Sequence, residues 1–360
     1  MKKSLTILFI TLVFLFIFSC STLNIGHKGP VKLVILHTND HHGHPLKFDN
    51  YPMSKVGGLP ARATLVNQVR VENENVLVLD AGDINTGESE STFFNAEPDI
   101  LGYNYIGYDA VTLGNHEFDN PLSVLKKQMQ DAKFPFLSAN IKYKDGNYVG
   151  KPYIIKEFKG LKVAILGLTT TETKTIGNPQ IVGDLIIENE IEVAKKFVPE
   201  LKKKADIVIV LGHLGMYENY GSLILAKEVP GIDLIIDGHS HTFIKEPVVV
   251  NGVPIVQAYQ WGLYVGKAEL TIEKKKITSF NWRPIPINLQ EKKADGKMGF
   301  IENEIKEDTK LLDMLTPYKD KVEQVLAEEI GEATDTFPNA ETRKAETAIG
   351  DLVADAMLDF

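Results

Sequence analysis

The sequence predicts an α/β fold with a mixed sheet system. Short apolar segments typical of buried strands alternate with segments whose apolar residues recur at helical spacing. Five of the apolar segments end in loops rich in aspartate, asparagine and histidine, which is where α/β proteins place their ligands. The last strand segments follow one another without intervening helices, so we expect part of the sheet system to be antiparallel.

The individual elements follow from the spacing of apolar residues along the chain. Strands are predicted at Val31–Leu36, Val76–Leu79, Ala110–Leu113, Leu161–Leu168, Asp206–Leu211, Asp233–Ile236, Val253–Ala258 and Gly266–Ile277. Helices are predicted at Leu59–Glu72, Asp99–Ile106 and Glu188–Lys204, the last with an interruption near Pro199. A further helix is expected to begin at Pro121 with Asn120 as its cap. The charged segment Glu304–Glu329 is interpreted as a linker helix with a sparse apolar stripe.

Residues 1–20 are predicted to be a signal peptide of the lipoprotein type. Two lysines precede an apolar run from Leu5 to Phe18, which is shorter than the roughly 20 residues that a membrane-spanning helix needs. The chain's single cysteine, Cys20, follows in a sequence that resembles a bacterial lipoprotein box. We therefore expect Cys20 to be lipidated, residues 21–30 to form a tether, and the protein to be exported and anchored to a membrane, at the cell surface or in the periplasm. The alternative is a plain secretory signal with a chance cysteine.

Composition limits what the rest of the chain can do. The chain has 360 residues, of which 44% are hydrophobic, so it can bury the core of one large domain and part of another. A single cysteine allows no disulfide within the chain. The net charge of −9 gives no basic footprint, so we expect no nucleic acid polymer as a partner.

Seven polar side chains at the predicted strand ends have the chemistry of metal ligands. They are Asp40, His42, Asp83, Asn115, His213, His239 and His241. Their mixture of carboxylate, imidazole and amide groups suits zinc, manganese, iron or cobalt better than calcium or magnesium. Seven ligands are too many for one tetrahedral site, but they fit two divalent metals that share a carboxylate.

Five motifs carry a resemblance to a known family. HTNDHHGH, LDAGD, LGNHEFD, LGHLG and DGHSHT occur in this order and resemble the metallophosphoesterase domain of the 5′-nucleotidase/UDP-sugar hydrolase family, over about residues 31–285. The resemblance implies a four-layer α/β/β/α sandwich with two mixed sheets. It also implies a first metal on Asp40, His42 and His241, a second on Asn115, His213 and His239, a bridge through Asp83, and a catalytic pair of His116 and Asp119.

This ligand set implies a hydrolase for phosphate esters. Two cations, with zinc, manganese or cobalt expected, would lower the pKa of a bound water and clamp a phosphoryl group for in-line attack. His116 could supply positive charge to the transition state or protonate the leaving oxygen, and Asp119 could fix its tautomer. We expect a 5′-nucleotidase. The alternatives are a 2′,3′-cyclic phosphodiesterase/3′-nucleotidase, a UDP-sugar hydrolase, or a catalytically weak surface fragment that binds metal or nucleotide.

Several polar residues near the motifs have no assigned role. His37, His41, His44 and Glu117 are expected beside the ligands or facing solvent. Asp80 and Asp237 end strands next to ligands and are expected to accept hydrogen bonds from histidine N–H groups. For Trp261, a place in the core and a contact with ligand are equally favoured.

The C-terminal residues 327–360 resemble the opening of the second domain of the same family. Residues 286–326 would then form the linker helix region, and an apolar stripe predicts a final helix with Ile349, Leu352, Val353, Ala356, Met357 and Phe360 on one face. In the family this domain is longer and supplies the aromatic clamp for the nucleobase. A fragment or frameshifted gene is the preferred interpretation, and completion by a separate chain or a natural short form are the alternatives.

Overall fold

The structure of the chain is a computed structural model that describes residues 29–329, 331–332, 336–338, 341–342 and 344–359. The predicted signal peptide, its Cys20 and most of the tether lie outside these residues. Contacts divide the chain into two compact units, with the boundary between Lys319 and Asp320. In the described part of the chain, no helix combines the length and the apolarity that crossing a membrane requires.

The strands and helices alternate along most of the first unit. The strands are β1 Val31–Thr38, β2 Phe48–Asn50, β3 Met53–Val56, β4 Val76–Asp80, β5 Ala110–Thr112, β6 Phe136–Leu137, β7 Ile141–Tyr143, β8 Tyr153–Phe158, β9 Leu161–Thr169, β10 Leu185–Ile187, β11 Ile207–His213, β12 Leu234–Ile236, β13 Val248–Val250, β14 Val253–Val256, β15 Tyr264–Glu273, β16 Lys276–Pro286, β17 Gln290–Lys292 and β18 Met298–Phe300. The helices are α1 Leu59–Glu72, α2 Ser89–Thr92, α3 Glu97–Ile106, α4 Leu122–Asp131, α5 Thr173–Ile176, α6 Pro179–Val182, α7 Glu190–Lys204, α8 Ser222–Glu228, α9 Thr309–Leu326 and α10 Ala348–Asp359. A short 3₁₀ turn covers His116–Phe118.

Two six-stranded sheets form the centre of the first unit. The first has the order β16–β15–β1–β4–β5–β6, and the second has the order β13–β14–β12–β11–β9–β8. In the first sheet β1, β4, β5 and β6 run parallel, while the hairpin β15–β16 pairs antiparallel to β1. In the second sheet β9, β11, β12 and β14 run parallel, while β8 and β13 are antiparallel edge strands. Both sheets are therefore mixed, as predicted.

Three apolar clusters show that the unit is layered. The cluster between the sheets contains side chains such as Leu33 and Leu77 of the first sheet and Ile165 and Ile209 of the second. A second cluster joins the outer face of the first sheet to α1, α3 and α4, and a third joins the outer face of the second sheet to α7 and α8. The central strands are apolar on both faces because both faces are covered. The implied four-layer α/β/β/α sandwich is confirmed.

Three local predictions are wrong. The strand predicted at Gly266–Ile277 is two strands, β15 and β16, joined by a two-residue turn at Lys274 and Lys275. The helix predicted to begin at Pro121 begins at Leu122, because Pro121 has an extended ψ of 142° and no side chain caps the helix. The helix around Pro199 is continuous from Glu190 to Lys204 and is not interrupted.

The two predicted C-terminal helices are both present. In α9, Leu311 and Leu315 are buried and belong to the cluster on the outer face of the first sheet. In α10, Leu352 and Val353 are about half exposed, and Met357 is 77% exposed. Phe360, the last residue of the predicted apolar stripe, lies outside the described residues.

Candidate metal centre

The seven predicted metal ligands lie at one edge of the two sheets. β1, β4 and β5 lead into the loops of Asp40, Asp83 and Asn115, and β11 and β12 lead to His213 and His239. The strands within each sheet that carry these loops are parallel, so their carboxyl ends meet at the same edge.

The donor atoms of these side chains form three overlapping groups, in each of which all atoms lie within 4.8 Å of one another. The groups are Asp40 with His42 and His241, His42 with Asp83 and His116, and Asp83 with His213 and His239. Asp83 belongs to two groups and connects them. The first group has the same residues as the implied first ligand set, and the third joins the bridging Asp83 to His213 and His239 of the second set. Asn115 belongs to none of the three groups, but its Oδ1 lies 3.2 Å from Nε2 of His213. The second group also includes His116.

The residues present fit divalent cations. The Nε2 atoms of His42 and His241 are 3.0 Å apart, so the two rings point at the same position. The Nδ1–H of His213 donates to the carbonyl oxygen of Ala81 at 2.8 Å, so Nε2 is the ring nitrogen that can bind a cation once it gives up its proton. That Nε2 lies 3.0 Å from Oδ2 of Asp83. Converging nitrogen and carboxylate donors of this kind suit a transition metal.

The backbone is constrained at most of these positions. Five of the seven predicted ligands have positive φ angles: Asp40 at 50°, His42 at 45°, Asp83 at 58°, His239 at 79° and His241 at 47°. Residues other than glycine rarely adopt this left-handed conformation, which costs about 1–3 kcal/mol and persists only where the surroundings enforce it. Asp40 and His42 lie in the same donor group, whereas His239 and His241 lie in different groups, so the tight turns serve both parts of the centre.

The charges at the centre are strongly coupled. Burial would raise the pKa of Asp83, but the neighbouring His213 and His42 hold it well below its usual value. Burial would lower the pKa of His213, but Asp83 raises it to about 10. In the protein without metal, this carboxylate and this imidazole therefore stabilise each other's charge.

His116 and Asp119 form a pair beside the metal-binding groups. The Nδ1–H of His116 donates to Oδ2 of Asp119 at 2.7 Å, and the same oxygen accepts from Oγ1 of Thr86 at 2.7 Å. The backbone N–H of His116 donates to Oδ1 of Asp83 at 2.9 Å, which links the pair to the metal-binding groups. The His116 side chain is 40% exposed, so its ring is accessible from solvent.

Glu117 has a role in the loops that the sequence did not reveal. It is fully buried, and its carboxylate accepts backbone N–H groups from two ligand-bearing loops. Its donors are Gly114 at 2.6 Å, Asp83 at 3.0 Å, Ile84 at 2.8 Å and Asn85 at 3.3 Å. Glu117 therefore holds the Asp83 loop against the Asn115 loop. Its place directly after His116 gave no signal of this, because the donors at Asp83, Ile84 and Asn85 are distant in sequence.

Glu172 was also missed. Its Oε2 accepts a hydrogen bond from Nε2 of His239 at 3.0 Å, and its Oε1 accepts one from the hydroxyl of Tyr220 at 3.2 Å. Because the carboxylate accepts the Nε2 proton, Nδ1 of His239 is the ring nitrogen left to bind a cation. Glu172 follows the carboxyl end of β9, and that position could have identified it from the sequence.

The unassigned histidines are all buried. His37 accepts a hydrogen bond from Nε1 of Trp282 at 3.0 Å, and burial lowers its pKa to about 3. His41 donates to Oδ1 of Asp99 at 2.9 Å. His44 donates from Nδ1 to the carbonyl of His41 at 3.0 Å. They support the architecture around the site, and none of them faces solvent.

The prediction for Asp80 and Asp237 is wrong. The hydrogen bonds of Asp80 come from the hydroxyls of Thr38 and Tyr103 and from the backbone N–H of Gly82. Asp237 accepts from the backbone N–H groups that follow His213. Both carboxylates stabilise backbone or hydroxyl groups at the strand ends, while His213 and His239 donate to Ala81 and Glu172 instead.

An aromatic cavity of about 540 Å³ adjoins the metal-binding groups. His42 and His241 form part of its wall, and Trp261 and Phe48 form another part. Trp261 is half-buried and stacks on His44 with ring centroids 5.1 Å apart. Trp261 therefore packs against the site on one side and borders the cavity on the other.

Comparisons with known proteins agree with this geometry. The profile of the calcineurin-like phosphoesterases matches residues 33–243. The 5′-nucleotidase of Vibrio cholerae is 39% identical over 90% of this chain and 65% of its own length, and protein UshA of Escherichia coli is 37% identical over 91% of this chain and 66% of its own length. The chain thus spans about two-thirds of the length of these relatives.

Solved structures show the same fold. The 5′-nucleotidase precursor of Thermus thermophilus superposes on this chain with a TM-score of 0.74 at 29% sequence identity. The aligned region covers 91% of this chain and 66% of the Thermus chain. The NAD nucleotidase of Haemophilus influenzae superposes with a TM-score of 0.72 at 27% sequence identity. The aligned region covers 84% of this chain and 69% of the Haemophilus chain. The profile match covers more than half of the chain. The chain belongs to the calcineurin-like phosphoesterase family.

Proposed function

We propose that this protein is a metal-dependent phosphohydrolase that releases phosphate from nucleoside 5′-phosphates. The observation that carries the proposal is a continuous chain of three donor groups, joined through His42 and Asp83, with the pair His116 and Asp119 directly beside them. Relatives named 5′-nucleotidase support a phosphomonoester substrate. The proposed catalytic domain covers residues 31–285, followed by a linker helix region to residue 326 and the start of a second domain.

The proposed ligand sets hold two divalent ions, with zinc, manganese or cobalt expected. Asp40, His42 and His241 would hold one, Asn115, His213 and His239 would hold the other, and Asp83 would contact both. When bound, such ions activate water for attack and neutralise charge on the phosphoryl oxygens. The chain's own contribution is to fix the donors on tight turns and to keep the ring nitrogens of His213 and His239 available.

His116 would handle the proton of the leaving group. Burial alone would lower the pKa of His116, but its hydrogen bond to Asp119 and the charge of Asp83 raise the pKa to about 9. In the protein without metal the ring therefore carries a proton at neutral pH, and its Nε2–H would donate to the departing oxygen. Asp119 would hold the ring in that orientation through Nδ1.

We also propose export and a lipid anchor at Cys20. The support is the order of two lysines, an apolar run and a cysteine in residues 2–20. Expression of the full chain and of Cys20→Ser in a bacterial host tests it. Wild type is expected in the membrane fraction with the added mass of lipid, and Cys20→Ser is expected without that mass. Identical masses for the two would contradict the anchor.

The first experiment is phosphate release from AMP. The chain from Ser21 onward is assayed with added manganese or zinc, beside His116→Ala, with bis-p-nitrophenyl phosphate as second substrate. Hydrolysis of AMP that is severely slowed in His116→Ala would support the proposal. Cleavage of the activated diester alone would favour a phosphodiesterase. Metal binding without hydrolysis of either substrate would contradict the proposed activity and favour a metal- or nucleotide-binding protein.

A further inference from the structure

A lysine-rich groove lies at the end of the sandwich opposite the metal centre. Its volume is about 990 Å³, and it lies at the amino ends of β9 and β11 and at the β15–β16 turn. Six lysines and two aspartates line it. The lysines are Lys162, Lys202, Lys203, Lys204, Lys275 and Lys276. Because the chain as a whole carries a net charge of −9, this concentration of cations stands out from the rest of the molecule.

The positive charge of the lysine groove is only partly neutralised. Lys202 pairs with Asp233 at 2.8 Å, and Lys275 pairs with Asp206 at 2.8 Å. Glu157 and Glu273 are exposed nearby on β8 and β15. The other lysines of the groove still leave an excess of cations over these acids, so the groove can attract an anionic surface.

Three of the groove lysines form no close ion pair, although Glu157 lies opposite Lys162 and Glu273 opposite Lys276 in the strand pairing. Lys162, Lys203 and Lys276 are exposed and form no salt bridge with any residue that the structure describes. Their ammonium groups are therefore available to an anion outside the chain.

Apolar side chains accompany these lysines. Val249 is 62% exposed and lines the groove, and Val248 beside it on the edge strand β13 is 37% exposed. The half-buried Ile277 and Phe280 complete the apolar part of the lining. Lysine ammonium groups next to exposed apolar groups match the boundary between lipid headgroups and acyl chains.

The chain enters the domain at the same end. Val31, the first residue of β1, pairs with Ile272, which lies two residues before the turn that borders the groove. Residues 21–30 can span at most about 35 Å, at about 3.5 Å for each residue. A membrane that held Cys20 would therefore lie within reach of the lysine groove.

We propose that the lysine groove docks on the anionic lipid headgroups of a membrane. The reach of residues 21–30 matters only if Cys20 is anchored as proposed above. The charge of the groove and its exposed valines are independent of that anchor. In this orientation the length of β9, roughly 30 Å for nine residues, separates the membrane from the metal centre. The centre would open away from the lipid, where a soluble substrate can reach it.

Binding to vesicles tests the proposal without the lipid anchor. The chain from Ser21 onward is sedimented with phosphatidylcholine vesicles that contain about one-third phosphatidylglycerol, and with pure phosphatidylcholine vesicles as a comparison. We expect binding to the anionic vesicles only, and weaker binding as salt is added. In the variant Lys162→Gln/Lys203→Gln/Lys276→Gln, the partition coefficient should fall about 100-fold, since each lysine at an anionic surface contributes about 1 kcal/mol.

A matched variant controls for net charge. Lys292→Gln/Lys297→Gln/Lys306→Gln removes three exposed lysines outside the groove, none of which forms a salt bridge within the described ranges. This control should bind anionic vesicles within about threefold of the wild type. Equal loss in both variants, or equal binding to neutral and anionic vesicles, would overturn the proposal. Release of the protein by millimolar inorganic phosphate at constant ionic strength would overturn it too, because the groove would then be a site for a free anion. Thermal unfolding by circular dichroism checks that both variants fold.

The outcome is separable from that of the proposed hydrolase. Phosphate release from AMP is measured on the same three proteins in the absence of vesicles, and both triple variants should retain wild-type turnover. Loss of vesicle binding with intact turnover therefore concerns the groove alone. Failure of AMP hydrolysis in all three proteins would concern the hydrolase and would leave the vesicle result valid.

Discussion

Replacing His116 with alanine should slow the hydrolysis of AMP far more than that of p-nitrophenyl phosphate. The leaving group of AMP is the 5′-alkoxide of adenosine, which needs a proton in the transition state, whereas p-nitrophenolate is a stable anion and needs none. The pKa of His116 is raised to about 9, against the effect of burial, by its hydrogen bond to Asp119 and the charge of Asp83. In the protein without metal His116 is therefore protonated at neutral pH, which suits it to act as the acid.

The expected magnitude follows from this role. A positioned general acid contributes about 10²–10⁴ in rate, or roughly 3–5 kcal/mol of the barrier. We expect His116→Ala to lower kcat for AMP by this factor and to lower kcat for p-nitrophenyl phosphate by about tenfold or less. Asp119→Asn should give a smaller loss with AMP, because the ring stays in place but its proton is held less firmly.

The assay compares both substrates under saturating metal, with the metal content of each variant measured. The ratio of the two losses is the readout, because a general disturbance of the site would slow both substrates alike. Equal losses for AMP and p-nitrophenyl phosphate would refute the assignment of His116 as the acid. His116 would then act only through its charge on the phosphoryl oxygens.

Three further predictions concern metal affinity and stability. Glu172→Gln should weaken binding of the ion held by His239 by about 10–100-fold, measured by calorimetry with zinc, because the amide fixes the ring less well than the carboxylate. Chelation of metal should lower Tm, since an ion at 1,000 times its Kd stabilises the folded state by about 4 kcal/mol, and re-addition of metal should restore it. Burial lowers the pKa of His37 to about 3, so below about pH 6.5 the unfolded chain takes up a proton that the folded chain does not. The stability of wild type relative to His37→Gln, measured by urea unfolding, should therefore be constant above pH 7 and fall by about 1.4 kcal/mol for each pH unit below 6.5. A stability difference between wild type and His37→Gln that does not change with pH would contradict the lowered pKa of His37.

The positions of the ligand residues could be predicted because each is a local feature. An apolar strand that ends in a loop with aspartate or histidine is visible within about ten residues, as in the sequence around Asp40 or around His239. The parallel order of β1, β4 and β5 then brings these loops to one edge. The sequence pattern and the topology together explain why residues as distant as Asp40 and His241 meet.

The hairpin β15–β16 could not be predicted in the same way. Its two-residue turn consists of Lys274 with φ of 49° and Lys275 with φ of 66°. A turn with two positive φ angles normally carries asparagine or glycine, and that pair is the sequence signal for such a hairpin. Because this segment has neither asparagine nor glycine at the turn, its sequence predicts one continuous strand through Ile277. The extensive pairing of β15 with β1 and with β16 overrides the poor turn preference.

Partnerships formed across the chain were also invisible in the sequence. Glu117 stands between His116 and Phe118 as an ordinary loop residue, and only the structure shows its carboxylate among four backbone N–H groups. Glu172 acts on His239 from 67 residues away. Glu117 and Glu172 position the ligand loops by accepting hydrogen bonds from backbone N–H groups or from one ring nitrogen. Such contacts produce no periodic pattern in the sequence.

The constrained loops explain how the centre can be preformed before any cation binds. A Cβ atom on Gly114 would lie 2.1 Å from Oδ1 of Asp83, and one on Gly87 would lie 1.7 Å from the carbonyl oxygen of His42. Loops that approach this closely have little room to move apart or to exchange conformations. Together with the four backbone hydrogen bonds to Glu117, these contacts stabilise the left-handed backbone of Asp83 and His42, whose strain would otherwise favour other conformations. The donor geometry is therefore set by the contacts between loops, and the glycines matter to the centre although neither provides a ligand.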